Sequence, residues 1–274
     1  HRLVRESVGI FDQSSFAKLR VEGPDALAGL QRLCGNDVDV PVGRVVYTQM
    51  LNARGGIECD LTVTRLGSTR FRIITGTAFG THDLAWITKQ LGETDDIRIA
   101  DVTGSFACFG VWGPSARAIL ERVTSADLSN EAFSYMSAKE IVVGDVPCLA
   151  ARVTYVGELG WELYPSIEFG RSLWDALVEA GEPHGMLPAG YRAIDSLRLE
   201  KGYRAWGSDI TPEDTPREAG LSNTFAPSNS PKASCGMVFS LIATGWSDLR
   251  AASAVTAPGA SPSCSTRINP LFVR

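Results

Sequence analysis

Carboxylates in three separate stretches are the side chains of this 274-residue chain whose types and setting could do chemistry. The first is Asp60, which follows a glycine pair at residues 55–56 and begins the β-prone run at residues 61–64. Asp is disfavoured inside strands, so Asp60 is either a turn or cap residue or a partly buried acid presented to a ligand. A partly buried acid that faces a ligand can orient a substrate nitrogen and take a proton from it.

The second candidate is Glu158, which has Gly157 on one side and Gly160 shortly after it. Such a tight connection between two strands either projects the carboxylate toward a ligand or forms a plain exposed hairpin. The third stretch is the charge-rich helix end at residues 195–207, whose pattern is typical of a solvated face with i,i+4 pairing.

Several common kinds of site are excluded by the sequence. It contains no GxGxxG, GxxxxGK[ST] or GxSxG motif, so dinucleotide-binding, P-loop and hydrolase interpretations have no anchor. The three histidines, His1, His82 and His184, are interpreted as ordinary surface or packing residues. The six cysteines form no CxxC pair and have no histidine at ligand spacing, so we expect no metal site and reduced, mostly buried thiols. Reduced thiols favour the cytoplasm, or the mitochondrial matrix in a eukaryote.

Composition and charge narrow the possible partners. A chain of this length with 44% apolar residues can bury a substantial core. The net charge of -5, without basic runs interleaved with aromatics, argues against a nucleic-acid partner. No apolar stretch approaches the roughly 18 to 20 residues that span a bilayer, so we expect no membrane partner. Because the chain begins with His1 rather than Met, we expect a fragment or a processed piece.

The elements that position these residues alternate between β-rich and helical patterns. A strand, a Gly-Pro turn and a helix at residues 16–34 recur at residues 106–123, which indicates an internal duplication. Further strands are predicted at residues 46–51, 60–66, 71–75, 140–143, 149–156 and 160–164, and further helices at 81–91, 170–180 and 190–201. The mixture predicts an α+β fold with mostly antiparallel sheets.

The character of the sequence changes near residue 225. Residues 226–274 are rich in Ser, Ala and Pro and lack sustained periodicity. We therefore predict a folded domain at residues 1–225 and a tail at 226–274 that is disordered or unrelated to the fold.

Taken together, three stretches resemble one protein family: YTQMLNARGGIECDLTVTRL, TYVGELGWELY and AGYRAIDSLRLEKGYRAWGSDITPEDTPREAGL. They are similar to the folate-binding aminomethyltransferase family, which includes the glycine-cleavage T-protein and the C-terminal folate domains of sarcosine and dimethylglycine dehydrogenases. The phrases GELGWELY and DSLRLEKGYRAWG look closer to the dehydrogenase branch. The resemblance covers residues 1–221 and implies ferredoxin-like sheet and helix units around a central folate hole, without the family's C-terminal β-barrel.

The resemblance also implies roles for individual residues. Asp60 stands where the family has its essential aspartate, beside the reactive nitrogens of tetrahydrofolate. Glu158 matches the glutamate that grips the pterin, and Tyr47 matches a tyrosine of the folate pocket. Tyr155 and Trp206 fall where the pocket has aromatic neighbours. An arginine of the T-protein aligns here with Ile194, and the candidates to replace it are Arg192 and Arg204.

The function implied by this resemblance is tetrahydrofolate-dependent one-carbon transfer. The unit would come from an oxidised N-methyl amine such as sarcosine or dimethylglycine, or from an aminomethyl carrier, and the product would be 5,10-methylene-tetrahydrofolate. FAD would belong only to a missing or separate oxidase domain, which makes a flavin-containing oxidoreductase a candidate partner. Two alternatives stay open: a non-catalytic folate-binding or regulatory module, and an inactive truncated fragment.

Overall fold

Two sheets, each covered by helices on its outer face, make up the computed structural model, which describes residues 1–92 and 96–221. In chain order its helices and strands are α1 (Arg2–Glu6), β1 (Gly9–Asp12), β2 (Ala17–Glu22), α2 (Ala26–Leu33), β3 (Val45–Leu51), β4 (Ile57–Arg65), β5 (Arg70–Thr75), α3 (Gly80–Leu91), β6 (Arg98–Asp101), β7 (Phe109–Trp112), α4 (Ala116–Leu120), β8 (Ala138–Val143), β9 (Val146–Ala151), β10 (Gly160–Pro165), α5 (Gly170–Gly181), β11 (Leu187–Pro188) and α6 (Tyr191–Glu200).

The first sheet has the strand order β3-β4-β5-β2-β6 and is antiparallel throughout. Alternate residues of its strands, among them Leu61, Val63 and Ile73, are buried against α2 and α3. The opposite face of the same strands carries Tyr47, Gln49 and other polar residues. This period of two separates an apolar core on one face from a polar layer on the other.

The second sheet has the order β11-β1-β7-β10-β9-β8, and its only parallel pairing among the described strands is β1 with β11. Its outer face packs Val111 and Trp161 against α4 and α5. Its inner face meets the polar face of the first sheet, where Val45 of β3 shares a cluster with Ala151 and Tyr164. The polar faces therefore lie inside the molecule, between two sheets.

The predicted duplication is visible in the topology. The order β3-β4-β5-β2 of the first sheet repeats as β8-β9-β10-β7 in the second. Gly23, at the β2–α2 turn, and Gly113, at the β7–α4 turn, have φ angles of 141° and 146°. A Cβ on Gly23 would lie 2.1 Å from the carbonyl oxygen of Asp96, and one on Gly113 would lie 2.2 Å from that of Ser7. Both turns thus need glycine for the same reason, a close backbone approach at positive φ.

The α+β class and the mostly antiparallel sheets are confirmed, while several boundaries differ from the prediction. β4 begins at Ile57, so Asp60 is an interior strand residue rather than the first. The strand predicted at residues 149–156 ends at Ala151, and an irregular loop leads to β10. The predicted tail at 226–274 lies outside the described residues. Within the described part, no helix has the length and apolarity needed to cross a membrane.

Candidate functional site

Asp60 lies on the inner face of β4, directly opposite Gln49 of β3. Gln49 Nε2 donates a hydrogen bond to Asp60 Oδ1 at 2.8 Å. Tyr47, two residues before Gln49 and therefore on the same face, also hydrogen-bonds the Asp60 carboxylate. Strand pairing alone thus places a tyrosine, an amide and an acid side by side. Hydrogen bonds from these neighbouring side chains to its carboxylate offset the unfavourable free energy of an Asp inside a strand.

Burial raises the pKa of Asp60 to about 6, although the hydrogen bonds from Gln49 and Tyr47 act in the opposite direction. The nearby charge of Asp83 adds to the increase. A carboxyl group with this pKa is mostly ionised at pH 7 and can still accept a proton, which are the properties required of a general base near neutral pH.

Tyr155 lies in the loop between β9 and β10, within reach of the charge of Asp60. Burial raises the pKa of Tyr155, and the charge of Asp60 contributes to the increase. Its ring stacks on that of Tyr203, with centroids 5.9 Å apart and an interplanar angle of 11°. The Tyr155 hydroxyl donates a hydrogen bond to the Arg204 carbonyl oxygen at 2.7 Å. The Tyr155 ring, which feels the charge of Asp60, is therefore fixed in one orientation with Tyr203 stacked parallel to it.

Glu158 lies in the same loop and is held by two cations. Its Oε1 is 2.9 Å from Arg5 Nη1 and 3.8 Å from Lys201 Nζ, and its side chain is 20% exposed. Arg5 is itself fixed by Glu200 at 2.9 Å and by the Leu197 carbonyl oxygen at 2.8 Å. Of the two alternatives for this residue, a plain exposed hairpin glutamate does not describe its surroundings. Glu158 is a positioned and largely buried carboxylate.

Tyr203 connects the Glu158 side of the site with the Asp60 side. Burial raises its pKa, with a further contribution from the charge of Glu158, and Arg5 opposes the increase. The ring of Tyr203 stacks on Tyr155, which lies within the electrostatic reach of Asp60. One pair of stacked tyrosines is therefore influenced by both acids, Tyr155 by the charge of Asp60 and Tyr203 by that of Glu158.

Trp206 covers the beginning of β4. Its Nε1 donates a hydrogen bond to the Ile57 carbonyl oxygen at 2.8 Å. Its ring makes an edge contact with Phe79 at 4.6 Å, and Trp206 shares an apolar cluster with Tyr47. Trp206 thus belongs to the surroundings of Tyr47, and its place beside a folate pocket stays a prediction.

The two candidate arginines are placed differently. Arg192 is exposed on α6, and Arg204 donates to the Gly202 carbonyl oxygen at 2.6 Å. Neither makes a hydrogen bond or ion pair with Asp60 or Glu158 within the described residues. Ile194 is 3% exposed and packs in an apolar cluster with Trp112, so this position offers no charge to a ligand.

Arg198 was missed by the sequence reasoning, which interpreted its segment as a solvated face. It is buried and forms ion pairs with Asp195 at 2.7 Å and with Asp209 at 2.5 Å. It also donates to the Tyr203 carbonyl oxygen at 3.0 Å. Arg198 therefore fixes the loop that carries Tyr203. The sequence could not show this role, because it depends on the loop folding back onto α6.

Comparisons with known proteins agree with this architecture. Residues 1–228 match the model of the family described as the GCVT N-terminal domain. The crystal structure of the glycine cleavage system aminomethyltransferase T from Bartonella henselae superposes with a TM-score of 0.73 at 31% identity, covering 84% of this chain and 60% of that one.

Curated relatives are longer proteins. The 4-methylaminobutanoate oxidase (formaldehyde-forming) of Paenarthrobacter nicotinovorans is 43% identical over 226 residues, which are 82% of this chain and 27% of that protein. The mitochondrial dimethylglycine dehydrogenase of Rattus norvegicus is 37% identical over 222 residues, 81% and 26% of the two chains. The mitochondrial pyruvate dehydrogenase phosphatase regulatory subunit of Mus musculus is 36% identical over 219 residues, 79% and 25%. The chain spans about a quarter of the length of these relatives.

Proposed function

Because this chain belongs to the GCVT family of aminomethyltransferase-type domains, we propose that it transfers a one-carbon unit to tetrahydrofolate with Asp60 as the catalytic acid–base group. The observation that carries the proposal is the Asp60 carboxyl with a pKa of about 6, held by Gln49 and Tyr47 and flanked by Tyr155.

The residues present fit a reduced pterin. Its ring offers an N–H and an exocyclic amino group side by side, and a fixed carboxylate is their natural two-oxygen partner. Glu158 supplies that carboxylate, since Arg5 and Lys201 both contact Oε1 and hold the group in place. The stacked rings of Tyr155 and Tyr203 would offer the planar ligand an aromatic neighbour near both acids.

Bound tetrahydrofolate would supply N5 and N10, which accept a methylene unit at the oxidation level of formaldehyde and form 5,10-methylene-tetrahydrofolate. Asp60 would orient the reacting amine and take the proton that the nitrogen loses as its new bond to carbon forms. Its negative charge would also stabilise the positive charge that develops on the one-carbon donor. Tyr47 and Gln49 would keep the carboxylate in one orientation throughout.

The names of two relatives support one class of donor. Two of them are named for oxidation of methylated amines, 4-methylaminobutanoate and dimethylglycine. We propose that this chain accepts the unit released when such an N-methyl amine is oxidised by a flavin-containing domain or partner. The compartment would be the cytoplasm, or the mitochondrial matrix if the source is eukaryotic.

A second candidate is a folate-binding or regulatory module without turnover. The similarity to a phosphatase regulatory subunit favours it, because that relative is named for regulation rather than transfer. The third hypothesis is an inactive fragment, which predicts no folate binding at all.

Calorimetric titration of the chain with tetrahydrofolate, followed by an assay for 5,10-methylene-tetrahydrofolate with formaldehyde or an oxidised N-methyl amine as donor, separates the three. Binding with product supports the transferase. Binding without product from any donor supports the module. A folded chain that gives no heat of binding contradicts both of these functions.

A further inference from the structure

A cysteine, a histidine and an aspartate meet at the beginning of α3, on the side of β4 away from the proposed folate side. Cys59 precedes Asp60 on the strand and therefore points to the opposite face. One donor atom each from Cys59, His82 and Asp83 lie within 4.8 Å of one another. The sequence argument against a metal site considered only linear spacing, and the fold brings His82 and Cys59 together across 23 residues of chain.

The three donor atoms lie close together. His82 Nδ1 is 2.9 Å from Asp83 Oδ1, and the Cys59 thiol hydrogen-bonds the same carboxyl group. A sulfur, an imidazole nitrogen and a carboxylate oxygen thus face one another. Opening the 2.9 Å contact between His82 Nδ1 and Asp83 Oδ1 by a few tenths of an ångström would let both atoms bind one ion at the usual bond lengths of about 2.0 to 2.3 Å.

His82 and Asp83 each have a second hydrogen-bond partner, as metal-binding residues usually do. The second ring nitrogen of His82, Nε2, is 3.2 Å from Glu58 Oε1. The second oxygen of Asp83, Oδ2, accepts a hydrogen bond from the Thr75 hydroxyl at 2.6 Å. Carboxylate–histidine pairs and hydrogen-bonded ligand carboxylates are how proteins orient the groups that bind a metal.

From this arrangement we propose that Cys59, His82 and Asp83 bind a single divalent ion of the zinc class. Thiolate, imidazole and carboxylate together suit zinc or cobalt, whereas magnesium and calcium prefer oxygen ligands alone. The His82 side chain is 40% exposed, which gives the ion a route from solvent. Binding releases the thiol proton of Cys59 to solvent, so the affinity rises with pH. Three protein ligands leave a fourth position open for water.

The test is titration of the metal-stripped full chain with two ions. Co²⁺ binding is monitored by the absorption of the thiolate-to-cobalt charge-transfer band, and Zn²⁺ binding is measured by calorimetry. We expect one equivalent bound and a charge-transfer band in the wild type. Cys59→Ser should abolish the band and His82→Gln should abolish stoichiometric binding. Glu58→Gln should weaken binding by about 10- to 100-fold, because it removes the negative charge beside His82 Nε2 and leaves the three ligands in place.

Matched controls make the result decisive. Cys148→Ser changes another buried cysteine, which lies on β9 in the other sheet. This variant should still bind one equivalent of metal and show the charge-transfer band. Cys235 and Cys264 are replaced together to remove the remaining thiols outside the described residues. Because Cys59 is buried and Cys59→Ser could fail to fold, the half-exposed His82→Gln decides in that case. No bound equivalent in the wild type, or one that persists in His82→Gln, would overturn the proposal.

Discussion

Gln49 Nε2 lies 2.8 Å from Asp60 Oδ1, directly across the β3–β4 pair. The amide donates to the ionised acid and lowers the pKa of Asp60, while burial raises it. The balance leaves a carboxyl that titrates near pH 6 in the interior between two sheets.

Replacement of Asp60 by Asn should leave tetrahydrofolate binding within a few-fold of the wild type but lower the rate of methylene transfer on the order of 10²-fold or more. Asn keeps the size and one acceptor oxygen but cannot take a proton. Calorimetry and a product assay on the same preparation measure the two effects. The control is Asp145→Asn, an exposed residue with a φ of 65° that Asn also tolerates. Unchanged turnover in Asp60→Asn would remove Asp60 from the mechanism.

The rate of transfer should fall on the acid side with an apparent pKa near 6, because Asp60 must be ionised to act as a base. Gln49→Leu removes a donor that favours the ionised form, so the pKa of Asp60 should rise and the acid limb should move upward by about one pH unit. A pH–rate profile of kcat/KM for both proteins tests this. A limb that stays in place in Gln49→Leu would assign it to another group.

Asp60 should also make the fold less stable above pH 6. Its pKa is raised from 3.8 to about 6 in the folded chain, so the native state binds the proton more tightly than the unfolded state. Stability is therefore lost as pH rises through this window, by an amount on the order of 1 to 3 kcal/mol. Asp60→Asn should be more stable than the wild type by that amount at pH 7.5 and nearly equal to it at pH 4. Urea unfolding at the two pH values measures this, and a difference independent of pH would contradict the assignment.

Glu158→Gln should weaken tetrahydrofolate binding by about 10- to 150-fold, because a charge-assisted hydrogen bond of about 1.5 to 3 kcal/mol is lost. Arg5 keeps its contacts with Glu200 and the Leu197 carbonyl oxygen, so the fold should survive the change. Calorimetric titration gives the dissociation constant, with Glu168→Gln on the surface as control. Equal affinity in the two variants would show that Glu158 does not contact the ligand.

The paired turns of the duplication give a prediction about stability alone. Gly23→Ala and Gly113→Ala should each destabilise the fold by about 2 kcal/mol or more, since each Cβ meets a carbonyl oxygen at positive φ. Gly104→Ala, which has open space around it, should cost little. Chemical denaturation measures all three. Loss of stability in only one of the paired variants would show that the two turns are not equivalent.

The start of β4 and the burial of Arg198 both differ from what the sequence predicts. The strand predicted from β-prone residues after Asp60 is present, but it begins at Ile57, because the hairpin and the loop at residues 206–214 supply hydrogen bonds to its first residues. The sequence assigned the segment that contains Arg198 to a solvated helix face with i,i+4 pairing. Its burial depends on Asp209, which lies on a loop that no helical pattern describes.

The sequence by itself determined the α+β class, the repeated strand–turn–helix unit and the family, because period-two and helical patterns and short motifs are local properties of the chain. It also singled out Asp60 and Glu158. Only the tertiary structure decided that Gln49 pairs with Asp60, that Arg5 holds Glu158 and that His82 meets Cys59. The physical reason is that these contacts join residues 11 to 153 positions apart, whose distances are set by strand register and by the packing of the two sheets.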